Sequence, residues 1–277
     1  MIGELAKLTR FEHALMLALA VLLAEIIVLG TFPPLEHFII LSLLVPVFSE
    51  MGSFALNDYL DIETDRLNKK DRPLVKGTIS PAFALYFSIA ALALSTAMAY
   101  FINSAAFIIA LLFNIAAVLY NWKLKDLPLV GNTYIALTMA IPFIFGNYVV
   151  SAELSSTAAV LAVLGFIAGL AREIVKSVQD MKGDIKARGS RTLPVIIGEK
   201  NSLITAVILY LLFIPLTAVP FALGLQFSII PALFIAAADI LIAFVCYRIA
   251  KRDFRFARNA SLIAFFIGML GILAASL

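Results

Sequence analysis

The chain has 277 residues, of which 62% are hydrophobic and only 14% charged, and its net charge is +3. A soluble domain carries about 25% charged residues, so this composition points to an integral membrane protein and excludes a soluble enzyme. The basic residues recur between apolar stretches instead of forming one run, which with the small net charge leaves no footprint for nucleic acid.

A membrane-spanning helix needs about 20 mainly apolar residues. Nine segments meet this in chain order, over 12–31, 37–57, 81–101, 104–121, 131–150, 156–176, 201–222, 228–248 and 258–276. The predicted fold is all-α, a multi-pass bundle of nine transmembrane helices in one domain spanning 1–277. The first segment is long for a signal peptide and lacks a small-residue cleavage pattern, so it is expected to be a mature helix. Cys246, the single cysteine, lies inside the eighth segment and permits no intramolecular disulfide. The connections Gly30 to His37, Asn103 to Ala105, Ser151 to Thr157 and Ala222 to Ser228 hold no Lys or Arg, and all 21 basic residues fall on the other side. The positive-inside rule then places the N-terminus in the cytoplasm and the C-terminus outside, in a cell-membrane protein.

Two acidic clusters lie where the second and sixth segments reach that basic side: Asn57-Asp58-x-x-Asp61-x-x-x-Asp65 and Asp180-x-x-x-Asp184. Residues three and four apart share a helix face, so each cluster stacks on one side of its helix. A solvated helix end accounts for one such aspartate but not for five in two matching sets. Carboxylates at a membrane edge need a cationic partner, and magnesium typically takes one or two of them together with water and substrate phosphate. The pattern therefore predicts metal-assisted chemistry on a phosphorylated substrate. The two connections that carry the acids are also the longest in the chain, as binding loops and lids often are.

Asp180 follows Asp61 by 119 residues, and the same shift lays Asp184 on Asp65, Arg191 on Arg72 and Leu193 on Leu74. Helices 1–4 and 5–8 then read as a parallel pseudo-repeat with helix 9 added, and repeat interfaces are where transporter-like folds place their sites. Glu50, Phe54, Asn57, Asp61 and Asp65 share one face, as do Arg172, Lys176, Asp180 and Asp184. Arg72, Lys76, Lys123, Lys125, Lys176 and Arg191 stand beside the acids and are candidates for holding phosphate oxygens, although each also meets the topological demand for positive charge. Glu25 and Asp239 are single acids deep in apolar segments, open equally to packing and to function. His13 reads as an interface residue, not a ligand.

These motifs resemble the UbiA family of intramembrane prenyltransferases. The matching stretches are NDYLDIETDRLNKKDRPLVKGTIS over 57–80, YNWKLKDLPLVGN over 120–132 and REIVKSVQDMKGDIKARGSRTLP over 172–194. The resemblance implies nine helices around a central cavity capped by cytoplasmic loops, with a lateral opening for lipid substrates. It implies Mg²⁺ held by Asn57, Asp58, Asp61, Asp65, Asp180 and Asp184, and through it the diphosphate of a polyprenyl donor. Asn57, Asp61 and Asp180 would then be the catalytic core, with Tyr120 the first aromatic face expected beside a carbocation.

Within the family, REIVKSVQDMKGD with GSRTLP and the compact KKDRPLVKGTIS look most like the archaeal ether-lipid branch. That branch implies geranylgeranyl diphosphate as donor and the free hydroxyl of geranylgeranylglyceryl phosphate as acceptor, with membrane lipid as the surroundings. The acceptor's phosphate calls for a second cationic patch, for which Arg188, Arg191 and Lys200 are candidates from spacing. RFEHALM at 10–16 departs from the Arg-Pro and polar residue of many relatives. A quinone-precursor enzyme acting on an aromatic acid would share the same fold and metal site. A cation-coupled transporter would instead use Glu25, Glu50 and Asp239 at mid-membrane.

Overall fold

In a bilayer, runs of apolar residues can satisfy their backbone only as helices or closed barrels. The computed structural model describes residues 2–67, 70–189 and 192–277, without the side chains of 2, 182, 184, 187 and 188. The described residues form helices and turns, with no strand among them. In order they are α1 (Ile2–Thr9), α2 (Phe11–Leu29), α3 (His37–Leu60), α4 (Ile62–Leu67), α5 (Pro73–Lys76), α6 (Pro81–Tyr100) and α7 (Ser104–Trp122). There follow α8 (Val130–Val150), α9 (Ser156–Arg188), α10 (Leu193–Ile197), α11 (Glu199–Leu216), α12 (Val219–Ala222), α13 (Ile229–Ala250) and α14 (Phe254–Ser276). Nine of the described helical segments are long and apolar enough to cross a membrane, and they coincide with the nine predicted segments. The protein is a multi-pass membrane protein.

Two boundaries differ from expectation for local reasons. The ninth span starts at Phe254 because Asp253 caps it, its Oδ1 accepting from the Phe256 N–H at 3.2 Å. The sixth does not stop at residue 176. α9 continues unbroken to Arg188, with the four-residue spacing of Arg172, Lys176 and Asp180 carried on one helical face. Asp61 and Asp180, which the 119-residue shift superposes, thus sit in different backbone. Asp61 caps the end of α3 at φ −101°, before α4 restarts the chain, whereas Asp180 lies within a continuous helix.

Each span packs on the next and the ninth returns to the first, so that α2, α3, α6, α7, α8, α9, α11, α13 and α14 close a ring. α8 also packs on α2, and α9 on α14. α9 is the most enclosed of the spans, 61% buried against 22% for α13, which lies at the outside of the bundle. Its approach to α8 depends on small residues, as is usual where helices pack without a hydrophobic driving force. A Cβ on Gly165 would stand 2.3 Å from the carbonyl oxygen of Met139, and one on Gly169 would stand 3.1 Å from the Cα of Ala136.

The short helices gather at the acid-bearing end. Leu8 of α1 is fully buried against Ala55, Leu74 and Ala84, joining α1 to α3, α5 and α6. Thr78 Oγ1 donates to Glu4 Oε2 at 2.9 Å and ties α1 to the turn after α5. Between α1 and α2, Arg10 occupies the left-handed region at φ +45°, which a non-glycine residue adopts only when its surroundings hold it there.

Candidate active site

α3 points Glu50, Ser53, Phe54 and Asn57 into a cavity of about 330 Å³ at the acid-bearing end. α7 adds Tyr120 and Asn121, α8 adds Tyr134 and Thr138, α9 adds Arg172, Glu173 and Lys176, and α14 adds Arg258. Arg10, His13 and Arg72 complete the polar wall. A smaller pocket of about 50 Å³ continues inward past Val45, Pro46, Ile109, Phe113 and Phe145, sharing Glu50, Ser53, Tyr134 and Thr138 with the cavity. A charged cavity thus adjoins an apolar one. A wider cleft of about 790 Å³ between α6 and α7 is lined almost wholly by apolar side chains and contains none of the acids.

Each carboxylate of the first motif has a basic neighbour. Lys125 Nζ lies 2.5 Å from Asp61 Oδ1, with the lysine only 8% exposed. Asn57 Nδ2 donates to Asp61 Oδ2 at 3.1 Å and to Asn121 Oδ1 at 3.0 Å. Asn121 Nδ2 in turn donates to the Ala117 carbonyl at 3.0 Å, which fixes the amide chain to α7. Asp65 receives Lys70 at 2.9 Å and Arg72 at 3.7 Å. The Lys125 turn rests directly on the start of α8, since a Cβ on Gly131 would meet the Lys125 carbonyl at 3.0 Å.

Asp58, also expected to hold the metal, faces two arginines. It is 1% exposed and turned toward Arg10, whose Nη2 donates to Oδ1 at 3.0 Å, and toward Arg72 Nε at 3.8 Å. Arg10 also lies over the Phe54 ring, 4.0 Å from its centroid. Burial, then the neighbouring Arg72, push the Arg10 guanidinium down from its ordinary pKa, and Asp58 opposes them. Asp58 therefore anchors two arginines of the cavity wall, and its other oxygen, Oδ2, is buried without a hydrogen-bond partner.

The expected phosphate donors separate into two groups. Arg72, Lys125 and Lys176 lie at the site: Arg72 and Lys176 line the cavity, and Lys125 holds Asp61. Lys76 does not join them, because it is drawn to Asp71 on the exposed side of α5; each raises or lowers the other's pKa in the sense of an ion pair. Lys123 is exposed at the end of α7 with its amine over the Trp122 ring, at 6.0 Å. Lys200 is exposed at the start of α11 and is likewise absent from the cavity wall. Arg191 and the side chains of Asp184 and Arg188 lie outside the described residues. Asp180 is half-buried, one turn beyond Lys176, and α4 of the first motif packs against α9.

Tyr120 stacks on Tyr134 with ring centroids 4.5 Å apart, and Tyr134 stacks on Phe113 at 5.5 Å. The three rings line the way from the mouth to the deep pocket. His13, expected at an interface, faces the cavity and meets Phe54 edge to face at 5.8 Å. Arg10, Asn121, Tyr134, Glu173 and Arg258 are cavity residues that the sequence reading did not select. Asn121 had one available signal, its place inside the YNWKLKDLPLVGN tract.

Comparison with known proteins agrees with this architecture. The chain is 35% identical over 274 residues to the digeranylgeranylglyceryl phosphate synthase of Archaeoglobus fulgidus, covering 96% of this chain and 93% of that one. A solved structure concerned with digeranylgeranylglyceryl phosphate synthase in membranes is 28% identical, with a TM-score of 0.77 over 99% of this chain and 98% of that one. The structure of a UbiA homologue from Archaeoglobus fulgidus bound to GPP and Mg²⁺ shares the fold, at 24% identity and a TM-score of 0.70 over 98% and 99% of the two chains. The family model for UbiA prenyltransferases matches residues 13–272, a range that takes in both acid motifs, the cavity lining apart from Arg10, and all nine spans but for the ends of the first and last. On that extent of match the chain belongs to the UbiA prenyltransferase family.

Proposed function

We propose that this protein transfers a geranylgeranyl group from geranylgeranyl diphosphate to the free hydroxyl of geranylgeranylglyceryl phosphate, with Mg²⁺, forming the second ether of an archaeal membrane lipid. The observation that carries the reading is a pair of adjoining pockets, the outer one with Asn57 in its polar wall and the inner one apolar, with the Tyr120–Tyr134–Phe113 stack shared between them. A prenyl diphosphate has the same polarity along its length. The acceptor assignment is supported by the Archaeoglobus relative, which is named for digeranylgeranylglyceryl phosphate, the product of that transfer.

The residues fit the metal. Among the described residues no three His, Cys, Asp or Glu side chains converge as a cage. Magnesium bound through one or two carboxylates, water and substrate phosphate does not need one. The available donors are hard oxygens, and a cluster already matched by Lys125, Lys70 and Arg72 is a set of carboxylates that accepts cationic charge. Asn57, Asp61, Asp65, Asp180 and Asp184 are the residues we assign to hold it, with Asp58 positioning Arg10 and Arg72. When bound, Mg²⁺ supplies charge neutralisation that turns diphosphate into a competent leaving group.

The chain's own side chains do the rest. Lys125, Arg72 and Lys176 donate to phosphate oxygens as negative charge grows on them. The bond from C1 to the diphosphate oxygen breaks with its electron pair leaving on oxygen, and the allylic cation forms against the tyrosine faces, each worth about 0.5–2 kcal/mol to a cation. The apolar walls exclude water that would otherwise capture it. The acceptor hydroxyl then bonds to C1 and loses its proton to Glu50. That carboxylate lines both the cavity and its deep pocket beside Tyr134, whereas Glu173 is engaged by Lys176 at 2.8 Å.

The same reading sets the acid-bearing end in the cytoplasm, supported by the placement of all 21 basic residues on that side. It includes the duplication of helices 1–4 as 5–8, supported by the order of neighbours around the ring. The test is transfer from radiolabelled geranylgeranyl diphosphate in lipid vesicles with Mg²⁺, offering geranylgeranylglyceryl phosphate and 4-hydroxybenzoate in parallel. Product from the glycerol phosphate lipid, lost in Asp61→Ala and Asp180→Ala, is expected. Product from the aromatic acid alone would move the enzyme to quinone precursors.

A further inference from the structure

The cavity wall carries more positive charge than its own carboxylates answer. Arg10 is matched by Asp58 at 3.0 Å, Arg72 by Asp58 and Asp65 at 3.8 and 3.7 Å, and Lys176 by Glu173 at 2.8 Å. Arg172 and Arg258 differ. Among the described residues neither belongs to an ion pair, and both are half-buried in the wall, on α9 and α14, two helices that pack together. Neutral groups hold them in place. Arg172 Nε donates to the Arg258 carbonyl at 3.3 Å, and Arg258 Nη1 donates to Gln179 Oε1 at 3.0 Å. The Nε of Arg258 is buried with no partner at all. Two adjacent half-buried guanidiniums are costly unless an anion completes them.

We infer that Arg172 and Arg258 form a separate seat for the acceptor's phosphate, distinct from the acid-lined place of the donor's diphosphate. The inference rests on the transfer reaction proposed above, in which two substrates bring two different phosphate groups into one cavity. A phosphomonoester carries about −1.5 to −2 charges at neutral pH, which two guanidiniums balance. Their planar forks also suit its oxygens better than a lysine would. Arg172 lies eight residues before Asp180 on the uninterrupted α9, a separation of about 12 Å along the axis. Arg172 is therefore deeper than Asp180, while Arg258 spans the distance up to Gln179 beside it. The hydroxyl to be alkylated, on the carbon next to the one that bears the phosphate, then falls between the seat and the tyrosine stack.

The experiment compares binding of geranylgeranylglyceryl phosphate with its dephosphorylated alcohol by titration calorimetry in EDTA, where no transfer occurs. Wild type is expected to prefer the phosphorylated form. Arg172→Gln and Arg258→Gln should each weaken that form by about tenfold or more and leave the alcohol unaffected. Binding of geranylgeranyl diphosphate with Mg²⁺ should stay at the wild-type level in both variants, which also reports that they are folded. If a glutamine variant fails that check, the corresponding Arg→Lys variant is used, with a smaller loss confined to the phosphorylated form expected. A wild type that alkylates the acceptor, with variants that bind its phosphate normally, overturns the seat alone. A wild type that neither binds nor alkylates this acceptor overturns the seat and the reaction together.

Discussion

Lys125 and Asp61 are 64 residues apart in the chain and meet at 2.5 Å across the mouth of the cavity. The amine holds a carboxylate assigned to the metal, and it stands where a diphosphate would also need a donor. Lys125→Met is therefore expected to act in two opposite directions. It should lower the Mg²⁺ concentration for half-maximal rate, because Asp61 no longer has an ammonium to displace. It should also raise KM for geranylgeranyl diphosphate by about tenfold, roughly 1.4 kcal/mol. Steady-state kinetics over a Mg²⁺ series separates the two, and parallel shifts in both constants would contradict this account.

Glu50→Gln tests the assigned proton acceptor. The amide keeps the size and hydrogen-bonding capacity of the side chain but cannot take a proton. Loss of a general base typically costs about a hundredfold or more, so kcat should fall on that scale with both KM values nearly unchanged. A large change in either KM with kcat preserved would make Glu50 a binding residue instead.

The Arg10–Asp58 pair gives a stability prediction. Stranding a buried carboxylate by removing its partner costs about 3–5 kcal/mol, and Arg72, 3.8 Å away, places Arg10→Met toward the lower end. Adding Asp58→Asn removes the stranded charge, so the double variant should unfold at a higher temperature than Arg10→Met alone. Additive losses would mean that the two side chains are not coupled.

Backbone contact between α8 and α9 predicts contrasting effects at two glycines. Gly165→Ala forces a methyl to within 2.3 Å of the Met139 carbonyl, whereas at Gly268 the nearest atom to the new methyl is 3.8 Å away. Overpacking of the first kind costs about 1–3 kcal/mol. Thermal unfolding in one detergent should show a clear loss for Gly165→Ala and none for Gly268→Ala.

The docking of α1 should depend on acid pH. The hydrogen bond from Thr78, and next that from Lys7, hold the half-buried Glu4 carboxyl below its usual 4.5. A carboxyl with a depressed folded pKa stabilises above its unfolded pKa and loses that contribution as pH falls through the folded value. Hydrogen-exchange protection of α1 should therefore decline as pH drops below about 4. In Glu4→Gln the decline should be absent.

Much of this architecture was legible in the sequence because lipid imposes a simple rule: each span declares itself as an apolar run, and all nine did. The acid motifs were legible too, since carboxylates at that depth have few bland explanations. What escaped notice was set by directions that a linear pattern does not carry. Lys123 and Lys125 look alike in the sequence, yet the tight turn at Leu124–Asp126 sends one to the surface and the other to Asp61. Arg10 reads as a topological charge until the fold brings Asp58 to it from 48 residues away. The length of α9 was signalled by Arg172, Lys176, Asp180 and Asp184 at four-residue intervals, a helical period that the polarity of the segment concealed.

α9 has 33 residues, so it extends about 50 Å where the hydrocarbon layer is about 30 Å thick. Its length exceeds that thickness by about 20 Å, and it is braced against α8 by the glycine contacts at Gly165 and Gly169. The first motif instead hangs on a joint at Asp61, between two helices. The two acid-bearing segments therefore differ in build: a strain on the first is taken up at the break beside Asp61, whereas one on the second bends a whole helix.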